Sequence, residues 1–219
     1  MRYVTPIFLA IALAFAPCER CGPSCECDPC ECCPCEVADI VASYVLITND
    51  GGTGSGVAVG PDLILTAAHV AGGLEHSTVR HQSDDGSHLE EWDATVVRTS
   101  AKYDLALLRT SRPHGLPVVS LNTTPLVRGE EVWYCGSAKG EYGMLEHSIV
   151  NHPYYGSPGG SHYLIVNGNG WFGDSGCGVY VKRNGRFVLA GIMVHLLWGD
   201  ARAPLGCEPQ DAIASFMGE

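Results

Sequence analysis

From residue 39 onward no stretch carries a helical period long enough to build a substantial helix. The apolar residues come instead as short β-branched or aromatic runs, each cut off by glycine, proline, asparagine or aspartate. Residues 40–48 make the first such run, and Asn49-Asp50-Gly51-Gly52 after it reads as a hairpin turn. Runs at 56–59 and 63–66 follow, separated by Gly60-Pro61-Asp62, and then runs at 92–99 and 104–109. Residues 72–86 read as a polar loop holding His76 and His81, with His88 just beyond, and their spacing matches no metal-ligand pattern. A stretch over 111–128 with Pro113, Pro117 and Pro125 divides the chain into halves. The second half has runs at 131–137, 145–152 and 163–166, then 176–182 and 186–195 around Asn184-Gly185, a dipeptide suited to a type I′ turn. Residues 208–217 read as a short helix. The 27 glycines and 13 prolines supply the turns. A chain punctuated in this way buries its apolar residues as an all-β sandwich or barrel.

The 219 residues suffice for one domain with a real core, or for two small ones packed together. With 13 basic against 24 acidic residues the net charge is −11, which argues against nucleic acid as a partner, because phosphate contacts need a basic face.

The first 36 residues have a different character. Residues 1–16 resemble an export signal: Arg2, then an apolar run, with Ala12, Ala14 and Ala16 offering small-residue cleavage patterns. The run is short for a membrane span, which needs about 20 residues, and Pro17 before Cys18 fits a lipidation box poorly. An uncleaved N-terminal membrane attachment is the alternative. Residues 17–36 then hold eight of the 11 cysteines, Cys18, Cys21, Cys25, Cys27, Cys30, Cys32, Cys33 and Cys35, among acidic residues and prolines. Three readings stand. An exported protein favours disulfides, with on the order of 100 possible connectivities. Cys-x-Cys and Cys-Cys neighbours are badly placed to bridge one another, and the spacing resembles a metallothionein-type run able to hold about two tetrahedral zinc ions. The third reading is an acidic, disordered tether.

The chemistry is concentrated in Gly170-Trp171-Phe172-Gly173-Asp174-Ser175-Gly176-Cys177-Gly178. Ser175 sits on a backbone free to turn sharply, and the amides of Gly173 and Ser175 can converge on one spot before its Oγ, as an oxyanion hole requires. Upstream, the apolar run at 63–66 ends in Ala67-Ala68-His69, where the alanines leave room for a hydroxyl to approach the imidazole. Asp104 stands at the mouth of the apolar run 105–108, where it is expected to be largely desolvated. An acid there can hold the tautomer that leaves His69 Nε2 free as a base.

His69, Asp104 and Ser175 occur in that order within Thr66-Ala67-Ala68-His69, Asp104-Leu105-Ala106-Leu107-Leu108 and Gly173-Asp174-Ser175-Gly176. With Gly54-Ser55-Gly56-Val57-Ala58-Val59 ahead of them, the chain resembles the trypsin-like (chymotrypsin-fold) serine peptidases, nearer the compact DegP-like and viral branch than digestive trypsins. The resemblance runs from about residue 39 to the end. It implies two packed six-stranded antiparallel β-barrels, one over about 37–112 and one over about 126–207, with a C-terminal helix over about 208–217. It implies a polypeptide substrate, acyl transfer by His69, Asp104 and Ser175, an oxyanion hole from the Gly173 and Ser175 amides, and no required cofactor. The competing readings are an inactive trypsin-fold binding module and a metal-thiolate or redox role led by the cysteine-rich segment.

Departures from the family carry expectations too. Ile40-Val41-Ala42-Ser43 lacks the glycines of a zymogen N-terminus, so no such switch is expected and Asp174 is left without its usual partner. Asn169, six residues before the serine, replaces the aspartate that selects Arg or Lys. Val194 and His195 are expected in the far wall of that pocket, where His195 either favours an acidic side chain or serves structurally. Trp171 and Phe172 line the subsite entrance or cover the site. Cys177 packs as a small apolar residue or pairs with Cys135 or Cys207.

Overall fold

The computed structural model describes residues 35–72, 76–83, 86–156, 162–196 and 204–218. The proposed export signal, and the cysteine-rich segment up to Cys33, lie outside the described residues; of Cys35 only the backbone is described.

Among the described residues, twelve strands close into two antiparallel barrels. The first comprises β1 (Tyr44–Asn49), β2 (Gly52–Gly60), β3 (Leu63–Ala67), β4 (His76–Gln82), β5 (Leu89–Ser100) and β6 (Leu105–Thr110). Its order around the wall is β1-β2-β3-β6-β5-β4, closed by the pairing of β1 with β4. The second comprises β7 (Glu131–Gly136), β8 (Met144–Gly156), β9 (His162–Val166), β10 (Gly178–Arg183), β11 (Arg186–Leu196) and β12 (Leu205–Pro209). It runs β10-β11-β12-β9-β8-β7 and closes through β10 and β7. Closure removes every free sheet edge.

The strong turn signals fold as their residues dictate. Asn184 and Gly185 take φ values of 50° and 78° between β10 and β11, the left-handed pair that a type I′ turn needs. Asp50 and Gly51 join β1 to β2. Residues 111–128 cross between the barrels with only an isolated bridge, Leu121 to Leu189.

Three expectations are corrected. Residues 40–43 belong to α1 (Cys35–Ser43), not to the first strand; Ser43 Oγ donates back to Ile40 O at 2.9 Å within that last turn. The polar loop expected over 72–86 contains β4, which has only Ser77 and Val79 turned into the core and is held by ladders to β1 and β5. Residues 205–209 form β12, wholly buried between β11 and β9, so the last helix, α3 (Gln210–Gly218), starts later than residue 208.

Ile64, Leu65, Leu105, Leu108 and Trp92 are buried in the first barrel, and Val132, Val150, Leu164, Val179 and Met193 in the second. Helix α3 joins the larger of the two clusters: Ile213 and Phe216 are buried in it, and Arg98 Nη1 donates to Phe216 O at 2.5 Å, placing a cation by the last helical carbonyls. Across the barrel interface, Ser43 Oγ lies 3.2 Å from Tyr180 Oη, Tyr44 Oη is hydrogen-bonded to Ser137 Oγ, and Ser55 N donates to Ser175 O at 2.8 Å.

Candidate active site

His69 lies in the first turn of a four-residue helix, α2 (Ala68–Ala71), that follows β3 directly. The opening amides of a helix have no partner within it, and here Asp104 supplies one. Its main-chain oxygen accepts Ala68 N at 2.8 Å and its Oδ1 accepts His69 N at 3.0 Å. Pairing of Ala67 with Leu105 brings Asp104 alongside. The φ of 50° at Asp104, tolerated by aspartate better than by bulky residues, turns the residue back toward the helix. The second carboxylate oxygen, Oδ2, lies 2.6 Å from His69 Nδ1. The expected desolvation of this acid is not found: the Asp104 side chain is 32% exposed and that of His69 47%. The turn carries Asp104 to the rim of the barrel, ahead of the buried run it precedes.

Ser175 sits in a tight loop between Gly173 and Gly176, whose φ values are 106° and 87°. A Cβ on Gly173 would stand 2.1 Å from Ser137 O, and one on Gly176 would stand 2.1 Å from Ser55 O. Only glycine fits either place, in conformation and in space. The carbonyls around the serine are all occupied. Phe172 O accepts Lys139 N at 2.9 Å, Gly173 O accepts Ser55 Oγ at 2.8 Å, Asp174 O accepts Cys177 N at 2.9 Å, and Ser175 O accepts Ser55 N. In a trans peptide the N–H points opposite to the carbonyl. The Gly173 N–H is therefore directed away from Lys139, and the Ser175 N–H away from Cys177. Neither amide has an acceptor among the described residues.

His69 and Ser175 line one cavity of about 770 Å³ together with Gly173, Trp171, Phe172, Val194 and His195. No hydrogen bond joins the Ser175 and His69 side chains among the described contacts. Phe172 is 87% exposed at its edge. Val194 and His195 are thus brought to the cavity, and Asn169 is not. Asn169 lines a neighbouring cavity of about 200 Å³ with Asp174, Tyr134 and Glu146. Trp171 and Lys139 border both spaces, the Lys139 Nζ lying 4.0 Å from the centre of the Trp171 ring.

The His195 ring stands edge-on to Tyr163 at 4.5 Å and covers Gly206, where a Cβ would come within 2.6 Å of its Cδ2. Burial lowers its pKa, an effect that the Asp104 charge opposes. Asp174 is buried, and its Oδ2 accepts Trp171 N at 2.8 Å, so a main-chain amide of its own loop takes the role left open for a chain terminus. Burial pushes its carboxyl up to about 6, against the lowering by that hydrogen bond. Cys135, Cys177 and Cys207 are all buried and no disulfide joins them, so the pairings considered for Cys177 are not formed. Sequence reasoning gave Ser55 no role beyond its place in a glycine-serine strand, although a fully buried serine in a strand of small apolar residues needs a hydrogen-bonding reason.

No curated protein sequence matches the chain. Among solved structures it is similar to the inactive form of a serine-to-alanine mutant of Rv3671c from M. tuberculosis, with 21% identity, a TM-score of 0.72, and coverage of 87% of this chain and 92% of that one. The apo MamO protease domain from Magnetospirillum magneticum gives 20% identity and a TM-score of 0.64 over 81% of this chain and 96% of that one. The HtrA-type protease AlgW with a tripeptide gives 18% and 0.71 over 84% and 61%. At these identities the likeness is one of fold. The family model of the trypsin-like peptidase domain matches residues 54–189, from β2 through His69, Asp104 and Ser175 into β11. Matched over more than half its length, and folded as two closed six-stranded barrels, the chain belongs to the trypsin-like peptidase family.

Proposed function

We propose that the protein is a serine endopeptidase acting on polypeptides through His69, Asp104 and Ser175. The observation that carries this reading is the hold of one carboxylate on His69 Nδ1 at 2.6 Å while His69 shares a cavity with Gly173 and Ser175, whose amides have no acceptor among the described residues. Ser175 Oγ attacks the substrate carbonyl as His69 Nε2 takes its proton, and Asp104 stabilises the imidazolium that results. The Gly173 and Ser175 amides receive the oxyanion. His69 then protonates the leaving amine, and water repeats the sequence on the acyl-enzyme. The reaction requires no cofactor. Val194 and His195 border the space for the substrate side chain, and Asn169 lines the neighbouring cavity instead. Export by residues 1–16, with the metal, disulfide and tether readings of 17–36, belongs to the same proposal.

A fluorophosphonate probe is expected to label the wild-type chain at Ser175 and to leave Ser175→Ala unlabelled, with loss of peptide-library cleavage in that variant. Equal labelling of both proteins, or cleavage that survives Ser175→Ala, would remove the assignment.

A further inference from the structure

Ser55 is fully buried in β2, and it meets the serine loop at two points. Its N–H donates to Ser175 O at 2.8 Å and its Oγ donates to Gly173 O at 2.8 Å. The same Oγ accepts Ser137 N at 3.1 Å and lies 3.3 Å from Ser137 Oγ. A hydroxyl carries one proton and two lone pairs, so donation to Gly173 and acceptance from Ser137 proceed together. Its immediate neighbours in β2, Gly54, Gly56, Val57 and Ala58, bring no polar side chain, and both partners of the Ser55 hydroxyl, Ser137 and Gly173, lie in loops of the other barrel. Thr66 Oγ1 fixes it from behind by donating to Ser55 O at 2.6 Å.

The peptide plane before Gly173 is held by one bond and the plane after it by two, one of them Asp174 N on Trp171 O at 3.1 Å within the loop itself. Lys139 N on Phe172 O sets the plane that carries the Gly173 N–H, and Ser55 Oγ on Gly173 O is the other bond on the plane after it. Lys139 belongs to the 3₁₀ turn Ala138–Gly140, whose preceding residue, Ser137, is itself tied to Ser55. One hydroxyl therefore bears on both planes, directly on one and through the turn on the other. Glycine at φ 106° has several backbone wells open to it at little intrinsic cost. These external bonds, more than the residue's own preference, select the well that leaves its amide free.

We propose that the Ser55 hydroxyl is a positioning residue for the oxyanion site, holding the Gly173 amide from across the barrel interface; this rests on the serine-peptidase reading above. Ser55 touches no reacting atom, so its removal loosens the amide and weakens transition-state binding while leaving the substrate cavity intact.

The test uses the full chain as wild type, Ser55→Ala, Ser55→Cys and Ser77→Ala. Ser55→Cys keeps the shape with a much weaker donor and serves if the alanine variant fails to fold. Ser77→Ala removes another buried first-barrel hydroxyl, one with no hydrogen-bond partner among the described residues. The readouts are the rate of fluorophosphonate labelling, kcat and KM on a cleaved library peptide, inhibition by a peptide boronate, and Tm. Both Ser55 variants are expected to lose roughly 10- to 100-fold in labelling rate, kcat and boronate affinity, with KM held within about twofold. Ser77→Ala is expected to keep wild-type rates. Wild-type rates in Ser55→Ala and Ser55→Cys, or losses that track only the unfolded fraction, would overturn the proposal while leaving the serine-peptidase reading standing. A wild-type chain that is not labelled at Ser175 would bring down that reading, and the role of Ser55 with it.

Discussion

The Asp104 carboxylate holds His69 at two points, Oδ2 on the ring Nδ1 at 2.6 Å and Oδ1 on the main-chain N–H at 3.0 Å. The second bond ties the acid to the start of a helix, so the orientation of the carboxylate is set by backbone as well as by the imidazole. Ring and carboxylate remain well exposed, and their alignment comes from this two-point geometry more than from burial.

Asp104→Asn preserves the shape of that arrangement and removes its charge. An amide NH₂ facing Nδ1 requires the imidazole to accept there, which puts the proton on Nε2 and disables the base. Peptide cleavage at pH 7–8 is expected to show kcat reduced by roughly 10⁴-fold, a magnitude taken from the general serine-peptidase triad. Tm is expected to change little. A variant that retains most of its kcat would deny Asp104 its place in the mechanism.

Glu208 offers a test through pH. It is buried in β12, and burial pushes its carboxyl up to about 8, with the Asp104 charge acting in the same direction. The unfolded chain ionises this group near 4.5, whereas the folded chain keeps the proton until about 8. Its contribution to stability is therefore complete below the unfolded value, declines as pH rises, and is lost above about 8. Urea unfolding from pH 5 to 8 is expected to show wild-type stability falling more steeply than that of Glu208→Gln, by on the order of a few kcal/mol across the range. Asp174, pushed up to about 6, adds a decline common to both proteins that ends near that pH. Parallel curves for the two proteins would show that Glu208 does not hold its proton.

Cys177 lies two residues beyond the proposed nucleophile, fully buried, with its thiol pKa raised well above the ordinary value by burial. A thiol kept protonated and covered is inert. Iodoacetamide at neutral pH is expected to modify Cys177 only after denaturation, as followed by peptide mass mapping. Cys177→Ala is expected to keep kcat within about twofold and to lose roughly 1–2 kcal/mol of stability to the space left behind. Rapid alkylation of the native chain coupled to loss of activity would point to a thiol in the chemistry.

The parts of this protein that a reader of its sequence could recover are those that rest on local chemistry. Asn184-Gly185 specifies its own turn, the glycines at 173 and 176 mark a backbone that other residues could not adopt, and the motifs around His69 and Asp104 bring the two side chains into contact. What the sequence left open, or led astray, depends on partners distant along the chain. Strand β4 has few apolar residues of its own and exists because β1 and β5 present ladders to it; β12 is short enough to pass for the start of a helix until β9 and β11 enclose it. The same holds for the two-point hold of Asp104 on His69 and the two grips of Ser55 on the serine loop. Each is a hydrogen bond or a covering between segments far apart in sequence, and such pairings are decided only when two closed barrels bring their walls together.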